Sequence, residues 1–293
     1  MRPSFIFKGL ALSALTVAAL SGASLFGLDS AVAEVGKPTE GAIYLQEGVT
    51  ETADELRHLH NIVMWIITAI VVFVTALLLF IMVRFNKKAN PEPSRTSHNT
   101  LLEVVWTAAP VAIVLFLIAV ATKPLYNQDV IPDDVTMTVK VVGNQWNWTY
   151  VYPDHGDFDF TSTMLTKEEA AAKGVPYLLA ADEALVVPAG QKIRVLVTAS
   201  DVLHSFAMPS FAIKMDAVPG RINETWFKVD RVGTYYGQCS EICGREHAFM
   251  PIEIRVVPED EFIAWVKTRN PEYAQAPASG QDAALVPAVT GGN

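Results

Sequence analysis

The sequence predicts a membrane hairpin of two helices followed by an all-β domain outside the membrane. Three observations carry that prediction. Residues 62–83 and 104–121 hold no charged side chain, and each run approaches the roughly 20 residues that a helix needs to cross a hydrocarbon core. The linker between them, RFNKKANPEPSR, sets Arg84, Lys87, Lys88 and Arg95 against the single acid Glu92. Beyond about residue 130 the chain turns into short β-branched and aromatic runs divided by turn residues.

The first 33 residues carry Arg2 and Lys8, then an apolar stretch, and end in Ala31-Val32-Ala33 before Glu34. That is the pattern of a secretory signal cleaved after Ala33, with an uncleaved anchor as the alternative. Without Arg2, Lys8 and Asp29, the 22 Lys+Arg and 31 Asp+Glu of the chain become 20 and 30, a net charge of −10. Such an acidic balance excludes nucleic acid as the expected partner and favours a basic protein. Residues 34–50 read as irregular. Thr52 and Glu55 stand in capping-box spacing, so a helix is expected to begin there and run into the first span. The basic linker belongs in the cytoplasm by the positive-inside rule, which leaves both mature termini outside, in agreement with the signal. Glu103 opens the second span after Asn99 and Thr100, and Pro110 either kinks that span or lies in its first turns. The N-terminal unit is thus 34–125.

The β domain is expected over 130–270. In VTMTVKVVGNQWNWTYVY, Trp146 and Trp148 are two apart, so a strand would put both on one face, a spacing more typical of packing than of chemistry. In KIRVLV, Ile193, Val195 and Val197 alternate with other side chains. In MPIEIRVV, Ile252, Ile254 and Val256 alternate with Glu253 and Arg255. LTKEEAAAKGVP predicts a short helix ended by Gly174 and Pro176, and EDEFIAWVKT a helix that closes the domain. Residues 271–293, rich in Ala, Pro and Gly, are expected to be disordered. Short strands at this spacing form a sandwich or barrel.

The chain has two cysteines, both in GQCSEICGREHAFMP at 237–251. A disulfide suits an exported domain, but a bridge over three residues closes a very short loop and stabilises little. His247 and Met250 follow Cys243 within seven residues, and thiolate, imidazole and thioether are the soft donors that select copper. His204, just past the strand ending near Thr198, offers a second imidazole. Two cysteines in one loop allow both sulfurs to bridge a pair of coppers. His204 and His247 then supply terminal nitrogens, while Met250 and the backbone carbonyl of Glu241 supply the weak donors. This inventory leaves no open position for a substrate, which suits electron transfer.

DVLHSF, VPGR, YYGQCSEICG and H-x2-MP together strongly resemble subunit II of the haem–copper cytochrome c oxidases of the aa3 type, bacterial and mitochondrial, over about residues 50–268. The resemblance implies a cupredoxin-like Greek-key barrel on the periplasmic side of the cell inner membrane, carrying the dinuclear copper centre Cu-A. By it the ligands fall on His204, Cys239, Glu241 through its carbonyl, Cys243, His247 and Met250. It also places electron input from cytochrome c at Trp146; the family's tyrosine is replaced by Asn147 here. Docking carboxylates fall on Asp157, Asp182 and Asp201, with Asp159 a local addition. The Glu241 carboxylate would share a magnesium or manganese ion with subunit I, and Glu103 would stand at the entrance of a proton-uptake path; an ordinary acid at a helix N-terminus is the equal alternative for Glu103. The implied activity is transfer of electrons from cytochrome c to haem a of subunit I, for dioxygen reduction coupled to proton pumping. No C-x-x-C-H haem motif is present, and His58, His60, His98 and His155 receive no ligand role. A membrane-anchored copper chaperone of thioredoxin-like type is the alternative from another class. Two spans, and the absence of alternating strand–helix units, weigh against it. The quinol-oxidase form of the subunit lacks the copper ligands found here.

Overall fold

The computed structural model describes residues 35–270; the expected signal 1–33 and tail 271–293 lie outside the described residues. Helix α1 (Glu51–Arg84) and helix α2 (Thr100–Asp129) form the hairpin. Both are long and apolar enough to cross a membrane, with none of the apolar windows buried. A helix of 34 residues spans about 51 Å against a hydrocarbon core of about 30 Å, so one end stands clear of the lipid.

That outer end is anchored to the β domain, which corrects the expected helix start. The cap is Thr50 rather than Thr52: its side chain accepts the Ala53 N–H, and its hydroxyl donates to the Phe211 carbonyl at 3.0 Å. Thr50 prevails because it alone serves both the open first turn and a buried carbonyl of the neighbouring domain. Glu55, freed from capping, pairs with Lys123 at 3.2 Å and accepts from Asn127, both on α2. Val49 N–H donates to the Ser210 carbonyl, and Gln128 to that of Ala212. In α2 the cap is Asn99, and Pro110 and Pro124 both lie inside the helix.

Among the described residues, ten strands make two five-stranded sheets. The first has the order β3-β2-β1-β5-β8, with β1 (Met137–Asn144), β2 (Asn147–Tyr152), β3 (Phe158–Ser162), β5 (Lys192–Ala199) and β8 (Asn223–Lys228). The second has the order β4-β10-β9-β6-β7, with β4 (Leu185–Pro188), β6 (His204–Met208), β7 (Ile213–Ala217), β9 (Gly233–Cys239) and β10 (Pro251–Val257). Period-2 alternation decides what the sheets bury between them. Ile193, Val195 and Val197 face inward from β5 as expected, and Ile252, Ile254 and Val256 do so from β10. The β1–β5 and β4–β10 pairings are parallel and the others antiparallel. This sandwich is the form taken here by the expected cupredoxin-like barrel.

Helix α3 (Lys167–Lys173) carries the full capping box of Thr166 and Glu169 and ends at Gly174 in the left-handed region. Helix α4 (Glu259–Arg269) closes the domain by burying Phe262 and Val266. One expectation fails. Trp146 and Trp148 do not share a strand face, because β1 ends at Asn144 and β2 begins at Asn147, with Asn144 paired to Asn147. Gln145 and Trp146 form the turn; Trp148 is fully buried in β2.

Candidate metal centre

Strand order brings distant segments to one pole of the sandwich. Strands β6 and β9 are antiparallel, so His204 at the start of β6 meets Cys239 at the end of β9, with Phe206 opposite Cys239. Strand β10 returns antiparallel to β9 with Pro251 opposite Gln238. The loop between them must therefore fold back over the same pole, and it carries Glu241, Cys243, His247 and Met250. The turn at Gln145 and Trp146 and the segment from Ser200 to Leu203 close the pole from the other sheet, through the Ser200 N–H to Gly143 carbonyl bond.

The six donors predicted from the sequence converge here. Cys239 Sγ lies 3.8 Å from His204 Nδ1 and 3.4 Å from the Glu241 carbonyl oxygen. Cys243 Sγ lies 3.5 Å from His247 Nδ1 and 3.5 Å from Met250 Sδ. The two sulfurs are 3.9 Å apart and unbonded, so the cysteines are free thiols and not a disulfide. Donor atoms of His204, Cys239 and Cys243 lie within 4.8 Å of one another, and all three residues are buried. Burial, reinforced by the neighbouring Cys239 sulfur, pushes the Cys243 thiol up to about 12. A sulfur so reluctant to ionise needs a cation beside it to become a thiolate, and a soft metal ion fits that need.

The donors are held by residues to which sequence reading gave no such role. His204 is fully buried, and its Nε2–H donates to Asp201 Oδ1 at 2.9 Å. A carboxylate there cannot donate, so the bond fixes the tautomer with the Nδ1 lone pair toward the sulfurs. Asp201 Oδ1 also accepts the Val202 N–H, and Oδ2 the Gln145 N–H at 2.7 Å. Partial burial opposes its charge, but these bonds together hold the carboxyl below its ordinary value. Trp148 Nε1–H donates to the Met250 carbonyl at 3.2 Å, and its ring packs edge-on to His204. Gly143 is required for closeness: a Cβ there would stand 2.9 Å from the His204 ring. The Asp-x-x-His spacing of Asp201 and His204 was the one local signal for this support. Replacing Asp201 with asparagine is expected to weaken metal affinity about 10–100-fold, measured by competition with a chelator. Unchanged affinity would remove its orienting role.

Trp146 covers the centre from outside. A Cβ on Gly244, whose φ of 129° suits only glycine, would be 3.0 Å from Trp146 Cζ2, so the indole lies on the backbone next to Cys243. Gln145 Nε2 donates to the Cys243 carbonyl at 2.8 Å, and the Arg245 guanidinium stands 6.0 Å from the indole centroid.

The carboxylates divide. Asp201 is at the pole. Asp182 is exposed near it, accepting from the Thr163 N–H and hydroxyl just past β3. Asp157 and Asp159 are exposed toward the far end of β2, about 20 Å along the strand from Trp146. Glu241 has no side-chain hydrogen bond or ion pair among the described residues. Glu103 accepts the Asn99 N–H at 3.3 Å, a helix-start contact far from the metal pole.

Comparison with known proteins agrees with this geometry. Residues 137–257 match the family described as cytochrome C oxidase subunit II, periplasmic domain, and residues 38–125 match its transmembrane domain. The chain is 44% identical to a probable cytochrome c oxidase subunit 2 of Rickettsia felis, over 80% of this chain and 74% of that protein. It is 38% identical to cytochrome c oxidase subunit 2 of Cereibacter sphaeroides, over 86% of this chain and 90% of that one. A crystal structure of the periplasmic domain of subunit II of cytochrome oxidase (CoxB) of Bradyrhizobium japonicum is 49% identical, covering 49% of this chain and 99% of that chain, with a TM-score of 0.45. Two membrane helices, a periplasmic β domain with a buried soft-donor cluster, and matches over both parts lead to one conclusion: the chain belongs to the cytochrome c oxidase subunit II family.

Proposed function

We propose that this chain is the electron-input subunit of the oxidase, taking electrons from cytochrome c at a dinuclear copper centre and passing them toward haem a of subunit I. The observation that supports it is the arrangement of donors, with two unbonded sulfurs 3.9 Å apart and His204, Glu241 carbonyl, His247 and Met250 around them. His204, Cys239, Cys243, His247, Met250 and the Glu241 carbonyl would hold the copper, which when bound would supply one-electron redox chemistry.

The protein's own residues do the rest. The β6, β9 and β10 ends hold the donors rigidly, and burial of Cys239, Cys243, Met250 and His204 keeps water from them. Trp146, in van der Waals reach of the Gly244 backbone, connects the outer surface to the residue after Cys243. Exposed Leu203, Ile242 and Phe249 at the same pole give apolar contact to a docked partner. Asp201 and Asp182, with Asp157 and Asp159 further out, steer a lysine-rich donor, an effect that weakens with salt. The unpaired Glu241 carboxylate suits a magnesium or manganese ion completed by subunit I. On the cytoplasmic side Glu103 keeps its second oxygen uncommitted, in keeping with a place at the entrance of a proton path.

The test is electron paramagnetic resonance of the copper-loaded chain. One unpaired electron shared by two copper nuclei is expected, with more hyperfine lines than one nucleus produces. A mononuclear spectrum would overturn the reading.

A further inference from the structure

A second cleft lies at the outer end of α1, where the irregular segment crosses the helix. It encloses about 400 Å³ lined by Tyr44, Leu45, Arg57, His60, Asn61 and Trp65. The four helical residues follow at i, i+3, i+4 and i+8, so they form one face. Arg57 Nη2 donates to the Leu45 carbonyl at 3.3 Å, and the Tyr44 ring meets His60 edge-on at 6.4 Å. Glu55, which holds α2, stands two positions before Arg57 and hence about 200° round the helix. The cleft therefore faces away from the hairpin partner, and Trp65 is 77% exposed within it.

Position and charge identify the occupant. The uncharged stretch begins at Ile62, which puts Arg57 about 7.5 Å on the water side of that boundary and Trp65 about 4.5 Å on the lipid side. Arg57 is then level with phospholipid headgroups, and Tyr44 and Trp65 take the places of interfacial aromatics. Among the described residues Arg57 bonds a neutral carbonyl and no carboxylate, so its charge is uncompensated. A guanidinium pairs well with a phosphodiester, while His60 and Asn61 offer further polar groups to the headgroup. The lining contains no acid to receive the ammonium of a zwitterionic lipid.

We propose that this cleft binds the headgroup of one anionic phospholipid from the outer leaflet, Arg57 pairing with its phosphodiester and Trp65 packing on the upper acyl chain. The inference rests on the membrane position of the hairpin and not on the copper reading. Native mass spectrometry of the intact oxidase, exchanged into nanodiscs of phosphatidylcholine doped with phosphatidylglycerol, tests it. Arg57→Gln is expected to bind phosphatidylglycerol at this site about fivefold more weakly than the wild type, whereas Arg57→Lys retains most of the binding. The copper spectrum of both variants should be that of the wild type, which separates this result from any fault in the metal centre. Equal phosphatidylglycerol retention in Arg57→Gln overturns the proposal. So does easier loss of a neighbouring subunit with lipid retention unchanged, which would assign the cleft to a protein contact.

Discussion

Replacing Cys243 with serine is expected to remove the copper centre while leaving the β domain folded. Its sulfur lies within 3.9 Å of three other donors, the Cys239 sulfur, the His247 nitrogen and the Met250 sulfur. Serine fills nearly the same space, so the strands around it have no reason to shift. A hydroxyl, however, is a hard donor that stays protonated, and it cannot bridge two soft metals. Losing an outer-shell partner alone costs about 10–100-fold in metal affinity, and the loss of a sulfur that would hold the metal directly should exceed that. Elemental analysis would show copper falling below stoichiometry, with far-ultraviolet circular dichroism unchanged. Full copper retention in Cys243→Ser would contradict the shared-sulfur arrangement outright.

Replacing Trp146 with leucine should separate electron input from metal binding. The indole is not among the donors, and it lies against the backbone beside Cys243. Copper content and spectrum are therefore expected to persist. Reduction by cytochrome c in a stopped-flow experiment should slow on the order of 10²-fold, the scale produced by misplacing a reacting group. Leucine is shorter than indole and has no π system, so the cover that Trp146 lays over Gly244 and Arg245 of the loop is lost. A rate equal to wild type would give the intake role to another part of the pole. Reduction by a small soluble reagent that needs no docking surface serves as the control, and it should change little.

The two tryptophans of GNQWNW show why one motif can hold two roles that spacing does not separate. Residues two apart on a strand share a face, which made packing the ordinary expectation for both. A turn of two residues ends the strand between them, so Trp148 enters the core and holds the Met250 carbonyl while Trp146 stays at the rim. Asp201 teaches the same lesson. The family resemblance makes it a docking charge, yet its oxygens are engaged by His204, Val202 and Gln145. Its charge still reaches solvent, so the orienting bonds are compatible with the proposed docking role.

The sequence by itself determined the hairpin, the inward positions of β5 and β10, the C-terminal stop of α3 and the soft donor set. These are local properties: charge-free length, alternation of apolar residues, turn chemistry and the softness of sulfur are all written within a few neighbouring residues. Only the tertiary structure decided which threonine starts α1, which tryptophan faces outward and which carboxylate orients His204. The first depends on a contact between segments far apart in the chain, Thr50 with Phe211, and the orienting carboxylate is itself held by another, Gln145 with Asp201. Such a partner exists only once strand pairing has brought it within the reach of a hydrogen bond, and no local pattern encodes that meeting.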